Sequence, residues 1–200
     1  LALGEGRWGS GPGAPPPGVE IDRDWLLEGQ ALVASHPFFP VERSVVSALR
    51  DRIDRRRPYT SLPQATYGIS GSELGGIMQT YLLALLSIRL GDTAVAVRAA
   101  AALAAVRDPK SARPAQELSQ ALRAELARTR GDVVGALAEL DRFPFSFLSE
   151  GARSIAHWGV RERFLRAELL HALGRDEEAL GWYASLEYEL TYLAAAHYRE

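Results

Sequence analysis

The sequence predicts an all-α fold, an α-α superhelix (solenoid) of antiparallel helical hairpins, and three observations carry that expectation. Apolar residues recur at helical rather than alternating spacing through most of the chain. Glycines and prolines cut that pattern into helix-length pieces. Three of those glycines, Gly91, Gly131 and Gly174, stand 40 and 43 residues apart with matching neighbours, a period in the range of solenoid repeats. No segment reads as a strand, because the short apolar runs are bounded by helix formers and not by β-branched alternation.

Taken in order, residues Gly4 to Gly18 are rich in Gly and Pro, with Pro15-Pro16-Pro17 at their centre. Such a stretch buries too little apolar surface to offset the entropy of ordering it, so 1–20 is expected to be a tail or linker. Residues 21–75 read as a degenerate helical region with a long loop. A short amphipathic segment holding Trp25, Leu26, Leu32 and Val33 ends before Pro37. A second, Val41 to Arg56, sets Val45, Val46, Leu49 and Ile53 at helical spacing. Pro58 to Gly76 carries two prolines and four glycines and is long for a structureless connection. A Ser/Gly-rich start with Glu73 close behind reads as a helix N-terminus near Ser70.

From Gly76 to the last residue the chain reads as helix after helix. Leu82, Leu83, Leu85, Leu86 and Ile88 are apolar on more than one side, the pattern of a buried helix. Gly91-Asp92 punctuates it, and Thr93 to Val106 follows as an alanine-rich helix stopped by Asp108-Pro109. The cycle restarts at Pro114, pauses at Gly131-Asp132 and breaks at Phe143-Pro144. It restarts near Arg161, pauses at Gly174 and runs to Leu186. The cluster Phe143, Phe145, Phe147 and Leu148 is expected to pack as core beneath a loop.

Aligning the three glycines exposes shared columns. Seven residues before them stand Ala84, Ala124 and Ala167; five after them stand Ala96, Ala136 and Ala179. Nine after are Ala100, Leu140 and Tyr183, and twelve after are Leu103, Phe143 and Leu186. Glycine at a helix end takes the left-handed conformation without a Cβ penalty. Asp92 and Asp132 are then placed to cap the following helix. Small residues on facing helices let backbones approach, and larger ones at one-turn steps fill the seam between hairpins.

The stretch Arg166 to Tyr183 closely resembles the core pattern of the tetratricopeptide repeat: a small residue (Ala167), Leu173-Gly174, an acidic turn, Ala179, and an aromatic four residues on. The Gly131 and Gly91 units resemble it more loosely. The resemblance covers 76–200, and the period exceeds the family's usual length, so linkers between hairpins are expected to be longer. It implies a scaffold that binds another protein or a peptide segment, without catalysis. An alternative it also implies is a regulatory or sensory module of a larger bacterial kinase or transcriptional regulator.

In that family the first helix of each pair lines the concave face. The resemblance therefore nominates Tyr81 and Arg89, Glu125 and Arg128, and Arg161, Phe164, Glu168 and His171 as a partner-binding surface. Arg89, Arg128 and Arg161 are suited to anchor a carboxylate, or else to form pairs within the molecule.

Composition trims the rival functions. The chain is 47% hydrophobic and 24% charged with a net charge of −2, without the basic excess of a nucleic-acid binder. The run Arg50, Arg52, Arg55, Arg56, Arg57 is interleaved with Asp51 and Asp54 at a helix end, where cations favour the dipole. No apolar run reaches the length of a membrane span. Cysteine is absent, which excludes thiolate metal sites and disulfides and fits a cytoplasmic location. Asparagine is absent too, and Lys110 is the sole lysine, a skew read as GC-rich, bacterial coding.

Glu168 and His171 have the spacing of one half of a di-iron site, but the second motif is missing. The glycines before residue 77 lack the strand and Lys-Ser/Thr pair of a nucleotide loop. No cofactor, metal or catalytic residue is expected, and nothing specifies an oligomeric state. The chain starts at Leu1 and stops within a helical pattern, so both ends read as cut from something longer.

Overall fold

The structure is a computed structural model that describes residues 23–56, 71–109, 111–142 and 159–186. Every regular element among them is helical. In chain order these are α1 (Arg23–Ser35), α2 (Arg43–Arg55), α3 (Gly71–Leu90), α4 (Thr93–Ala104), α5 (Ala112–Thr129), α6 (Val133–Asp141), α7 (Val160–Ala172) and α8 (Asp176–Ser185). Consecutive pairs pack on each other, so α1/α2, α3/α4, α5/α6 and α7/α8 are four hairpins.

Three hairpins turn in the same way. Gly91, Gly131 and Gly174 have φ of +89°, +78° and +71°. Each donates its N–H to the carbonyl three residues back, and the next residue donates to the carbonyl five back. The latter bonds are Asp92 to Ser87 (2.8 Å), Asp132 to Ala127 (3.0 Å) and Arg175 to Leu170 (2.9 Å). This is the Schellman closure, which satisfies two carbonyls the helix end would otherwise strand. Asp132 then accepts from the Gly135 N–H at 2.8 Å and Asp92 from the Val95 N–H at 3.4 Å. Arg175 offers no such acceptor and caps nothing through its side chain.

The alanine columns lie where hairpins meet. Ala84, Ala124, Ala167, Ala96, Ala136 and Ala179 are all at most 2% exposed. Ala100, Leu103, Leu140 and Leu186 are buried and Tyr183 is half-buried. Phe143 and the rest of its cluster lie outside the described residues, as do the 1–20 tail and the Pro58–Ser70 part of the long loop.

Helix α3 starts at Gly71, next to the N-terminus expected near Ser70, and the Gly75-Gly76 pair lies inside it. Each glycine costs a helix about 1 kcal/mol relative to alanine, but Ile77, Met78, Tyr81, Leu82, Leu85 and Leu86 are all buried in the turns that follow. That burial outweighs the propensity. Helix α5 starts at Ala112, two residues before Pro114. A proline there is harmless, because first-turn N–H groups have no helical acceptor.

One apolar cluster runs from Leu27, Ala31 and Leu32 of α1 through Val46, Leu49 and Ile53 of α2 to α3, α4 and the α5 residues Leu118, Leu122 and Leu126. The Gln79 amide of α3 donates to Ile53 O at 2.8 Å and Arg56 O at 3.0 Å, closing the end of α2. A second cluster joins Ala124 and Ala127 to Ala136, Leu140, Leu165 and Leu169; a third joins Leu137, Leu170 and Ala179. The core is thus passed from hairpin to hairpin.

The contacts of the fourth hairpin are not confined to its neighbour. Arg161 in the first turn of α7 meets Glu125 of α5, Glu162 meets Tyr81 of α3, and Phe164 meets the α1–α2 turn. In a simple solenoid each repeat touches only its neighbours. Here the fourth hairpin also touches the first and second.

Candidate partner-binding face

The eight nominated residues separate into an interior set and a rim. Tyr81, Glu125 and Arg161 do not line an open face: all are buried, at the junction of α3, α5 and α7. The reason is the first turn of α7, whose Arg161 and Glu162 meet Glu125 and Tyr81. Arg161 donates to one oxygen of Glu125, and Arg128 Nε donates to the other at 2.5 Å. Arg161 also lies 4.0 Å from Glu162, and the Tyr81 hydroxyl donates to that same Glu162.

Electrostatics follow from burial set against these contacts. Burial pushes Glu125 upward, but Arg161 and then Arg128 outweigh it and hold the carboxyl below its ordinary value. For Glu162 burial wins over Arg161 and the Tyr81 hydrogen bond, and the carboxyl is raised. Burial, then the charge of Glu162, drives the Tyr81 hydroxyl well above its usual range. One carboxylate is thus secured as an anion by two guanidiniums, while its neighbour is biased toward the neutral acid.

Arg89 is spent on backbone. It donates to Pro37 O at 3.1 Å and Phe39 O at 2.8 Å, pinning the turn between α1 and α2. That turn carries His36, fully buried, whose ring meets Phe164 edge-on at 5.0 Å. Burial, then Arg161, Arg128 and Arg89, lowers the imidazole pKa well below 6.5. The nominated anchors Arg89, Arg128 and Arg161 therefore all serve contacts inside the molecule.

Phe164, Glu168 and His171 form the rim on α7. Phe164 packs against Phe38 and Tyr183, each at 5.8 Å between ring centroids. The Tyr183 hydroxyl donates to Glu168; burial and that hydrogen bond raise its pKa. His171 is exposed and lies 2.7 Å from Asp176, whose hydrogen bond and charge raise its pKa. Phe38 is 43% exposed, so an edge of the aromatic row Phe38–Phe164–Tyr183 reaches solvent.

His36, Phe38 and Glu162 escaped the sequence reading as members of this face, and Tyr183 entered it only as a repeat position. The available signal was the run His36-Pro37-Phe38-Phe39-Pro40, which puts two phenylalanines in a turn between helices. Glu162 had none beyond its charged neighbours. The arginine run at the end of α2 turns partly inward: Arg56 pairs with Glu28 at 2.9 Å, both nearly buried.

Among the described residues no three potential metal ligands converge, and no helix is long and apolar enough to cross a membrane. Fold and face together define an all-α array of helical hairpins, closed by a buried polar cluster and edged by aromatic rings. Comparison with known proteins finds no matching family model, no similar curated protein and no similar solved structure.

Proposed function

We propose that this chain is a protein-interaction scaffold of tetratricopeptide-like repeats, and that its partner, another protein or a peptide segment, docks at the aromatic rim. The observation that carries the reading is the row Phe38–Phe164–Tyr183, assembled from two hairpins distant in sequence and open along one edge. Large rings held by their neighbours lose little entropy on binding, which is why aromatics dominate protein–protein hot spots. The repeated glycine turns and alanine columns support the repeat assignment. The contacts of the fourth hairpin with the first two make it a closed variant of such an array.

The test is site-specific crosslinking in the cells that make the protein. A photoreactive phenylalanine analogue replaces Phe38, and in a control it replaces Arg98, exposed on α4. A discrete adduct from position 38, absent from position 98 and lost with Phe164→Ser, is the expected result. No adduct, or equal adducts from both positions, would overturn the assignment of the rim.

A further inference from the structure

We propose, resting on the aromatic rim as the docking face, that the partner presents an arginine there, its guanidinium stacked on the rings and paired with Glu168. Phe164 and Glu168 stand four residues apart on α7 and so share one face of that helix. Tyr183 of α8 meets Phe164 at 5.8 Å and donates its hydroxyl to one oxygen of Glu168. Phe38 meets Phe164 from the α1–α2 turn, also at 5.8 Å. A half-buried carboxylate thus sits in a row of rings, bonded to a neutral phenol and to no cation. That sets it apart. Among the described residues every other buried or half-buried carboxylate, on Glu28, Glu117, Glu125, Glu139 and Glu162, lies within 4.0 Å of an arginine nitrogen. His171, one turn on, feels the charge of Glu168, but its ring is held by Asp176 at 2.7 Å.

The same two helices carry the completed arrangement elsewhere. Arg166 of α7 lies over the Trp182 ring of α8 at 4.6 Å and pairs with Asp141. Ring, guanidinium and carboxylate are all present at that place. At the rim the rings and the carboxylate stand without the guanidinium. A carboxylate partly withdrawn from water gains more from a paired cation than an exposed one does, and ring faces attract the same charge. Arginine fits better than lysine, because a flat, weakly hydrated guanidinium stacks on a ring while its edge donates to a carboxylate. Phe38, 43% exposed, leaves the row open to solvent for such a side chain to enter.

The probe is N-acetylarginine amide, with N-acetylcitrulline amide, alike in shape and uncharged, beside it. Each is titrated into the full chain carrying isotope-labelled phenylalanine and tyrosine, and the ring signals are followed by NMR. The expected result is a saturable shift of the Phe38, Phe164 and Tyr183 rings with the arginine probe, and an affinity about tenfold lower for the citrulline probe. Glu168→Gln keeps an acceptor for the Tyr183 hydroxyl and is expected to lower the arginine affinity to the citrulline level. Phe38→Ser, at an exposed ring, is the second variant and must also weaken arginine. Equal affinity for the two probes, unchanged arginine affinity in either variant, or no shift at the rim overturns the arginine assignment. The rim itself answers to crosslinking from position 38. An adduct there together with any of those three results overturns the arginine and spares the rim; no adduct overturns both.

Discussion

Arg161 shows how a single side chain is made indispensable by what surrounds it. Its guanidinium is buried with Glu125 and Glu162 at the meeting of three helices. Arg161→Met is expected to leave Glu125 with one cation and Glu162 with none at close range, a loss of about 3–5 kcal/mol, the range for breaking a buried pair from one side. Urea unfolding checks this, and the double variant Arg161→Met/Glu125→Leu is expected to be less destabilised than the single one.

The two carboxyls respond to pH in opposite senses. Glu125 is depressed in the fold, so its stabilisation is present above 4.5 and is lost as pH falls through its folded value. Glu162 is raised, so its contribution is present below 4.5 and is lost as pH rises through its folded value. Glu162→Gln is therefore expected to raise the thermal midpoint at neutral pH and to lose that advantage at about pH 4. A midpoint that falls at neutral pH would show that the ionised carboxylate is needed. Ala136, fully buried against α7, gives a third residue-level prediction. Ala136→Glu is expected to cost about 3–5 kcal/mol as an unpaired buried charge, and an unchanged thermal midpoint would refute the packing described.

At the scale of the element, the hairpin turn can be dissected at Gly131. An added Cβ there meets nothing within 4 Å, so a change at this position reports backbone conformation alone. With φ at +78°, Gly131→Ala is expected to destabilise by about 1–2 kcal/mol, the cost of left-handed geometry for a residue with a Cβ. Asp132→Ala, one residue on, is expected to cost about 1 kcal/mol through loss of the bond from the Gly135 N–H. Val134→Ala, on the exposed side of α6, is the control and should stay within about 0.5 kcal/mol. Denaturant midpoints measured on the three variants separate turn from cap.

For the molecule as a whole, the consequence of tying α7 back to the first two hairpins is cooperativity. A linear stack can fray from either end because each unit answers only to its neighbours. Here Tyr81 bonds to Glu162 and His36 and Phe38 pack on Phe164, so the last hairpin is tied to the first two. Amide exchange in α7 and α8 is therefore expected to follow global unfolding at neutral pH. In Phe164→Ala those helices should exchange through a separate, cheaper opening while α3 to α5 stay protected. Equal protection in the variant would show that the stack, and not the cross-ties, holds α7.

The hairpins were legible in the sequence because their causes are local. A glycine, alanines seven before and five after it, and in two of the three turns an aspartate after it all act within three turns of helix, and the structure places each as expected. The start of α3 was legible from Ser70 and the acid behind it, and burial of Tyr81, Leu82, Leu85 and Leu86 outweighs the poor helix propensity of Gly75 and Gly76. The face was legible only in part. The resemblance to the tetratricopeptide repeat could nominate Tyr81, Glu125 and Arg161 but could not say that they meet inside the molecule, for Tyr81 and its partner Glu162 are 81 residues apart. By itself, then, the sequence determined the helices, their turns and the columns on which they pack, because those depend on neighbours along the chain. Only the tertiary structure decided which charges are buried and which rings reach solvent, because both follow from contacts of α7 with residues far away in the chain, which no local spacing encodes.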